Sequence, residues 1–223
     1  MLLGIVTAVV FLLTAAKFIT KRLPYKKLDT FFLKIHRISG IVLLILSVIH
    51  AVTAWSLIRQ RPIGMVIAGI ALASCVMIAF ISHVFAKTLG KKWLTVHRAA
   101  SAAVCICLMI HIIFGITSLS AYQSAVASIT YDDIQVNQVA DGKYEGEYDA
   151  GYIYAKVSVT IAANKIKSIE ILEHRNERGA PAEKITERII KGQSLDVDMV
   201  SGATNSSLVI KKAIENALKQ GIS

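Results

Sequence analysis

The chain reads as four long apolar runs followed by short alternating segments. The apolar runs are Leu2–Ile19, Ile38–Ile58, Ile63–Ala86 and Ala99–Leu119. At ~1.5 Å of rise per residue, a helix of about 20 apolar residues crosses a hydrocarbon core of ~30 Å. Beyond Gly142 the pattern changes. Tyr144–Tyr148, Ile153–Ile161 and Ile166–Leu172 alternate or are rich in β-branched and aromatic residues, with turn signals at Asp141-Gly142 and Ala163-Asn164. Pro181–Lys191 is helix-like, and Ser206–Gln220 carries a helical stripe of Ile210, Ala213, Ile214, Ala217 and Leu218. The predicted fold class is a membrane protein: a four-helix transmembrane bundle over 1–119, then a connector over 120–140 that is partly helical at its start. A small α+β domain over 141–223 follows.

Charge gives the bundle a direction. Up to Thr130 there are 13 Lys/Arg and one acid, Asp29; beyond it there are 12 Lys/Arg and 14 acids. The net charge of +10 is thus concentrated around the apolar runs, which explains the basic balance by topology and leaves no reason to invoke nucleic acid. Lys17 near the end of run one and Lys21, Arg22, Lys26, Lys27, Lys34 and Arg37 after it precede run two, and Lys87, Lys91, Lys92 and Arg98 lie between runs three and four. Only Arg59 and Arg61 lie between runs two and three. The positive-inside rule then places the N-terminus outside, runs two and four parallel from inside to outside, and the α+β domain on the extracytoplasmic side of the cytoplasmic membrane. No basic residue precedes the first run, so it reads as a retained span in contact with membrane lipid rather than a secretory signal. Cys75, Cys105 and Cys107 all fall in apolar runs and offer no disulfide framework.

Two of the runs carry matched histidines. HRISGIVLLILSVIH extends from His36 to His50, and HRAASAAVCICLMIH from His97 to His111. On a helix, fourteen residues advance ~21 Å and turn about 40° short of four full turns, so each pair shares one face. With runs two and four parallel, His36 and His97 share an inner depth and His50 and His111 an outer one. A single intramembrane histidine is also explained by a hydrogen bond to a neighbouring helix. Four at matched depths suit two planar b-type haems, each held by one imidazole from either helix. Arg37 and Arg98, and Arg59 and Arg61 at the other end, either offset haem propionates or mark the membrane boundary. His83 reads as a quinone-site residue, an alternative ligand or a polar boundary residue.

On this spacing, residues 30–119 resemble the transmembrane domain of ferric reductases and NADPH oxidases, which carries two haems stacked across the membrane. That family usually has six helices where this chain shows four. The FAD/NADPH domain that supplies its electrons has no counterpart among these residues.

The second constellation is DMVSGATNSS, Asp198–Ser207. Taken alone it is a polar turn leading into an amphipathic helix, which suits either an ordinary Ser/Thr cap or a phosphate at the helix start. Residues from about Asp141 to Gln220 are similar to the FMN-binding domain of the C-subunits of sodium-translocating quinone reductases and the G-subunits of Rnf complexes. In that family a flavin transferase attaches FMN by a phosphoester to the last hydroxyl of D-x-x-[ST]-G-A-[ST]. Asp198, Ser201, Gly202, Ala203 and Thr204 match every fixed position, so the resemblance implies covalent FMN at Thr204. It also implies flavin contacts from His174, which falls where the family often has a histidine, and from Tyr152 and Ser207. After His174, Arg175-Asn176-Glu177-Arg178-Gly179 stand in place of the Glu-Thr-Pro-Gly of larger members.

The expectation is a membrane oxidoreductase. It would take electrons from a quinol or a cytosolic reductase, pass them through two haems b to covalent FMN, and reduce an external electron acceptor. The alternatives are a relay or structural subunit of a larger redox complex, or a haem- or flavin-based sensor or handling protein.

Overall fold

The apolar runs are helices whose ends are set by local chemistry rather than by hydropathy. The computed structural model describes residues 2–58, 61–132, 134–176 and 178–222, so Arg59 and Glu177 lie outside the described residues. It divides into an N-terminal unit, Met1–Gly115, and a C-terminal unit, Ile116–Ser223.

In the N-terminal unit α1 spans Leu2–Thr20 and α2 spans Lys26–Trp55. The sequence places Lys26–Arg37 in a loop, but they are helical. Pro24 ends the preceding turn, and neither Gly nor Pro recurs until Gly40, so nothing stops the helix from starting at Lys26. The basic residues Lys26, Lys27, Lys34 and Arg37 therefore ride on α2. Lys17 and Asp29 form an ion pair that ties the C-terminal end of α1 to the first turn of α2. Deeper in the bundle, Thr14 Oγ1 donates to Ser39 Oγ at 2.8 Å, so two buried hydroxyls satisfy each other.

Helix α3, Ile63–Val84, starts directly after Pro62. Phe85 breaks it, a short α4 (Ala86–Leu89) follows, and Gly90 turns the chain at φ +55. Helix α5 then runs from Trp93 to Ala127, well past Leu119. Four helices are thus long and apolar enough to cross a membrane.

The C-terminal unit is a three-stranded antiparallel meander in the order β1-β2-β3: Gly142–Asp149, Tyr154–Ala162 and Lys165–Arg175. The β2–β3 hairpin turns on Ala163 and Asn164, both at positive φ. Asp141 does not separate strands. Its carboxylate accepts from the N–H of Ala163 at 2.9 Å and of Asn164 at 3.3 Å, and so holds that hairpin. The alternate residues Ala155, Val157, Val159 and Ile161 of β2 are buried. Helix α7, Thr204–Lys219, covers them with Ile210, Ala213, Ile214, Ala217 and Leu218.

Gly146 of β1 lets α7 lie close to the sheet: a Cβ there would come within 2.2 Å of the Ala213 carbonyl. Helix α6, Ile185–Gly192, ends at Gln193 in the left-handed conformation. The Gln193 amide then pairs with both backbone groups of Ile166, like a further strand residue. The fold is a membrane-type helical bundle plus a small α+β domain. Segment 120–140 is no free linker, because Val126, Val136 and Val139 are part of the α+β core.

Candidate functional site

In the N-terminal unit the two inner histidines form a pair. The His36 and His97 rings face each other with centroids 6.0 Å apart and planes at 81°. His36 Nδ1 lies 2.9 Å from the Thr14 carbonyl, and His97 Nδ1 lies 2.9 Å from the Ala79 carbonyl. Since a carbonyl only accepts, each Nδ1 carries the proton. Each Nε2 is then left with a lone pair, the tautomer an imidazole needs to bind a metal.

His111 is held the same way by the Met65 carbonyl at 3.2 Å. Both outer rings lie against glycine. A Cβ at Gly4 would be 3.3 Å from His50 Cε1, and one at Gly69 would be 3.2 Å from His111 Cε1.

These contacts extend the repeat seen in the sequence. Helix α1 places Gly4 against His50 and Thr14 against His36; α3 places Gly69 against His111 and Ala79 against His97. Each buttressing helix uses two positions ten residues apart. The bundle is therefore two copies of one unit, a buttressing helix followed by a histidine helix.

Two metal–imidazole bonds of about 2 Å each, with the rings behind them, occupy about the span seen between His36 and His97. The donor set fits an axial pair. Among the described residues no cluster of three or more His, Cys, Asp or Glu side chains could hold a metal. The two histidines of a pair would therefore need the other coordination positions filled by a macrocycle such as haem. Arg37 and Arg98 are exposed beside the inner pair.

In the C-terminal unit the motif loop leads straight into α7. Gly202 takes φ +76, which favours glycine, and Ala203 occupies the cap position with no side-chain oxygen to offer. The ordinary Ser/Thr cap is therefore not formed, and the first-turn N–H groups keep their affinity for an anion. Thr204 is the first helical residue and is exposed. Its hydroxyl makes no hydrogen bond among the described residues.

Ser201 and Asp198 are exposed on the same loop. Ser207 is fully buried, and its Oγ accepts the Val200 N–H at 3.2 Å, so it fixes the loop from within. Arg188 of α6 fixes it from outside by donating to the carbonyls of Asp198 at 2.8 Å and Met199 at 3.1 Å. Arg188, Asp196, Val197 and Asp198 line an open hollow of ≈ 600 Å³. With two carboxylates to one guanidinium, it is a poor cradle for phosphate.

His174 ends β3 with its side chain only 2% exposed. Its Nδ1 lies 3.0 Å from Glu183 Oε1, while Nε2 is buried without a hydrogen-bond partner among the described residues. Tyr152 stacks on Tyr122 with centroids 5.3 Å apart and planes at 20°. Asn205, next to Thr204, donates its amide to Tyr122 Oη at 2.8 Å. Tyr122 and Arg188 lie outside the Asp198–Ser207 motif, and no sequence signal marked them.

The comparison with known proteins bears on the C-terminal unit. The sequence model of the FMN-binding domain family matches residues 151–219. An uncharacterized protein of Treponema pallidum (strain Nichols) is 30% identical over 86 residues. That alignment covers 37% of this chain and 24% of that protein, so the chain spans about a quarter of the relative's length. No solved structure gives a significant match. Residues 151–219 of the α+β unit are thus similar to FMN-binding domains, and they lie behind four membrane-length helices in the chain.

Proposed function

We propose that the protein is a membrane flavocytochrome. It moves electrons from a quinol or a cytosolic reductant through two b-type haems to FMN on Thr204, which reduces an external acceptor. The observation that carries this reading is the inner pair: two imidazoles from separate helices, 6.0 Å apart, each with Nδ1 on a backbone carbonyl. It occurs in a chain that also carries an FMN-binding domain.

When bound, haem supplies one-electron iron chemistry and FMN both one- and two-electron steps. The chain's own part is placement. His36 with His97, and His50 with His111, are the imidazoles that would hold the two haems. The Thr14, Ala79 and Met65 carbonyls fix three of those rings and raise their donor strength. A haem held by two protein imidazoles would serve electron transfer rather than oxygen binding.

At the other end, Thr204 Oγ1 is the attachment point for the phosphate. The uncapped first turn of α7 provides the N–H groups and positive helix end that receive it. Ser201, Gly202 and Ala203 shape the loop, and Asp198 stands exposed for the transferase that loads it. His174 and Tyr152 are the flavin-facing candidates. The charge bias of the turns puts this domain outside the cytoplasm.

Co-expression with a flavin transferase should give a fluorescent band on a denaturing gel. Thr204→Ala should abolish that band, and its survival would move the attachment site elsewhere.

A further inference from the structure

We infer that the lysine-rich end of the N-terminal unit holds a quinol-oxidising site built from His83 and Trp93; this rests on the two-haem reading and names its electron donor. Helix α3 ends one residue after His83, and α5 begins at Trp93, so both rings sit at the same end of the bundle. The His83 ring lies 5.9 Å from Trp93, Trp93 lies 6.1 Å from His97, and His97 lies 6.0 Å from His36. Four rings thus run in sequence from an exposed imidazole to the inner pair.

The surface around His83 selects the class of donor. Ile81, Val84, Phe85, Leu89 and Leu94 are exposed there, at 37–58%. Lys87, Lys91 and Lys92 follow within a few residues. An apolar belt edged by lysines is a lipid–water boundary. A polar nicotinamide or the surface of a soluble reductase would have to displace lipid to reach the rings. A quinol already lies in lipid, with a hydroxylated aromatic head for Trp93 to pack against and protons for an imidazole to accept.

Oxidation converts the quinol to the quinone with loss of two O–H protons and two electrons. His97 and His36, next in the line of rings, would hold the haem that accepts the two electrons one at a time. His83 takes the protons in turn and releases each to water at the lysine edge.

The test uses the full chain in detergent. Menadiol should reduce the haem of the wild type, and His83→Leu should slow that reduction at least tenfold while dithionite still reduces the variant completely. An azidoquinone should label the 83–93 region in competition with menadione, a binding readout that does not depend on haem. Equal rates in wild type and His83→Leu would overturn the site. So would labelling elsewhere, or failure of menadiol to reduce a protein that dithionite reduces. Absence of dithionite-reducible b-type bands in the wild type would instead sink the two-haem reading itself.

Discussion

Glu215 is fully buried in α7, where an isolated carboxylate is costly. It accepts Lys212 Nζ and Lys219 Nζ, each at 2.7 Å, and the Asp132 N–H at 3.2 Å. Burial alone would raise its pKa; the bonds from Lys212, Lys219 and Asp132 outweigh it and hold the group below its ordinary 4.5. A carboxyl depressed in the folded state stabilises the fold above its unfolded value and loses that contribution as pH falls through the folded value. Thermal melting of the C-terminal unit should therefore lose stability on acidification below about pH 4.5. Glu215→Gln should flatten that slope, and an unchanged slope in the variant would show that the network is not its source. At this scale the sequence marks candidates where chemistry has a spacing, as at the histidines and at Asp198–Thr204. It was silent on the carbonyls of Thr14, Ala79 and Met65, because backbone acceptors leave no residue signature.

At the scale of elements, α7 joins the core to the loop that presents Thr204. It can do so only because Gly146 lets the helix backbone touch β1. Gly146→Ala sets a methyl against the Ala213 carbonyl and the Ala217 N–H, which must move. We expect a loss of about 2–3 kcal/mol, read from denaturant unfolding of the C-terminal unit. Because α7 would shift as a body, covalent flavin loading at Thr204 should fall with it. A neutral effect would mean that the close approach carries no energetic weight.

The hydrophobic pattern located α1, α3, all three strands and the α7 stripe, since period and length are local properties. It misjudged α2 and α5 because charged residues mark where a span leaves the hydrocarbon, not where a helix ends. The packing of segment 120–140 was not legible for a related reason. Tyr131 and Thr130 bond to Leu208 and Lys212 of α7, contacts between segments some 80 residues apart that no local window contains.

At the scale of the whole molecule, we propose that the paired helices and the flavin domain serve one redox chain. Each half of the bundle supplies a buttressing helix and a histidine helix, and the flavin domain follows the second half directly. The central claim predicts a fixed cofactor content. The measurement is the reduced-minus-oxidised visible spectrum of the purified full chain, with haem quantified per polypeptide. The account predicts sharp b-type bands and two haems per chain, falling to one when His50 and His111 are both changed to Ala. A spectrum without those bands, or a haem content unchanged in His50→Ala/His111→Ala, would contradict it.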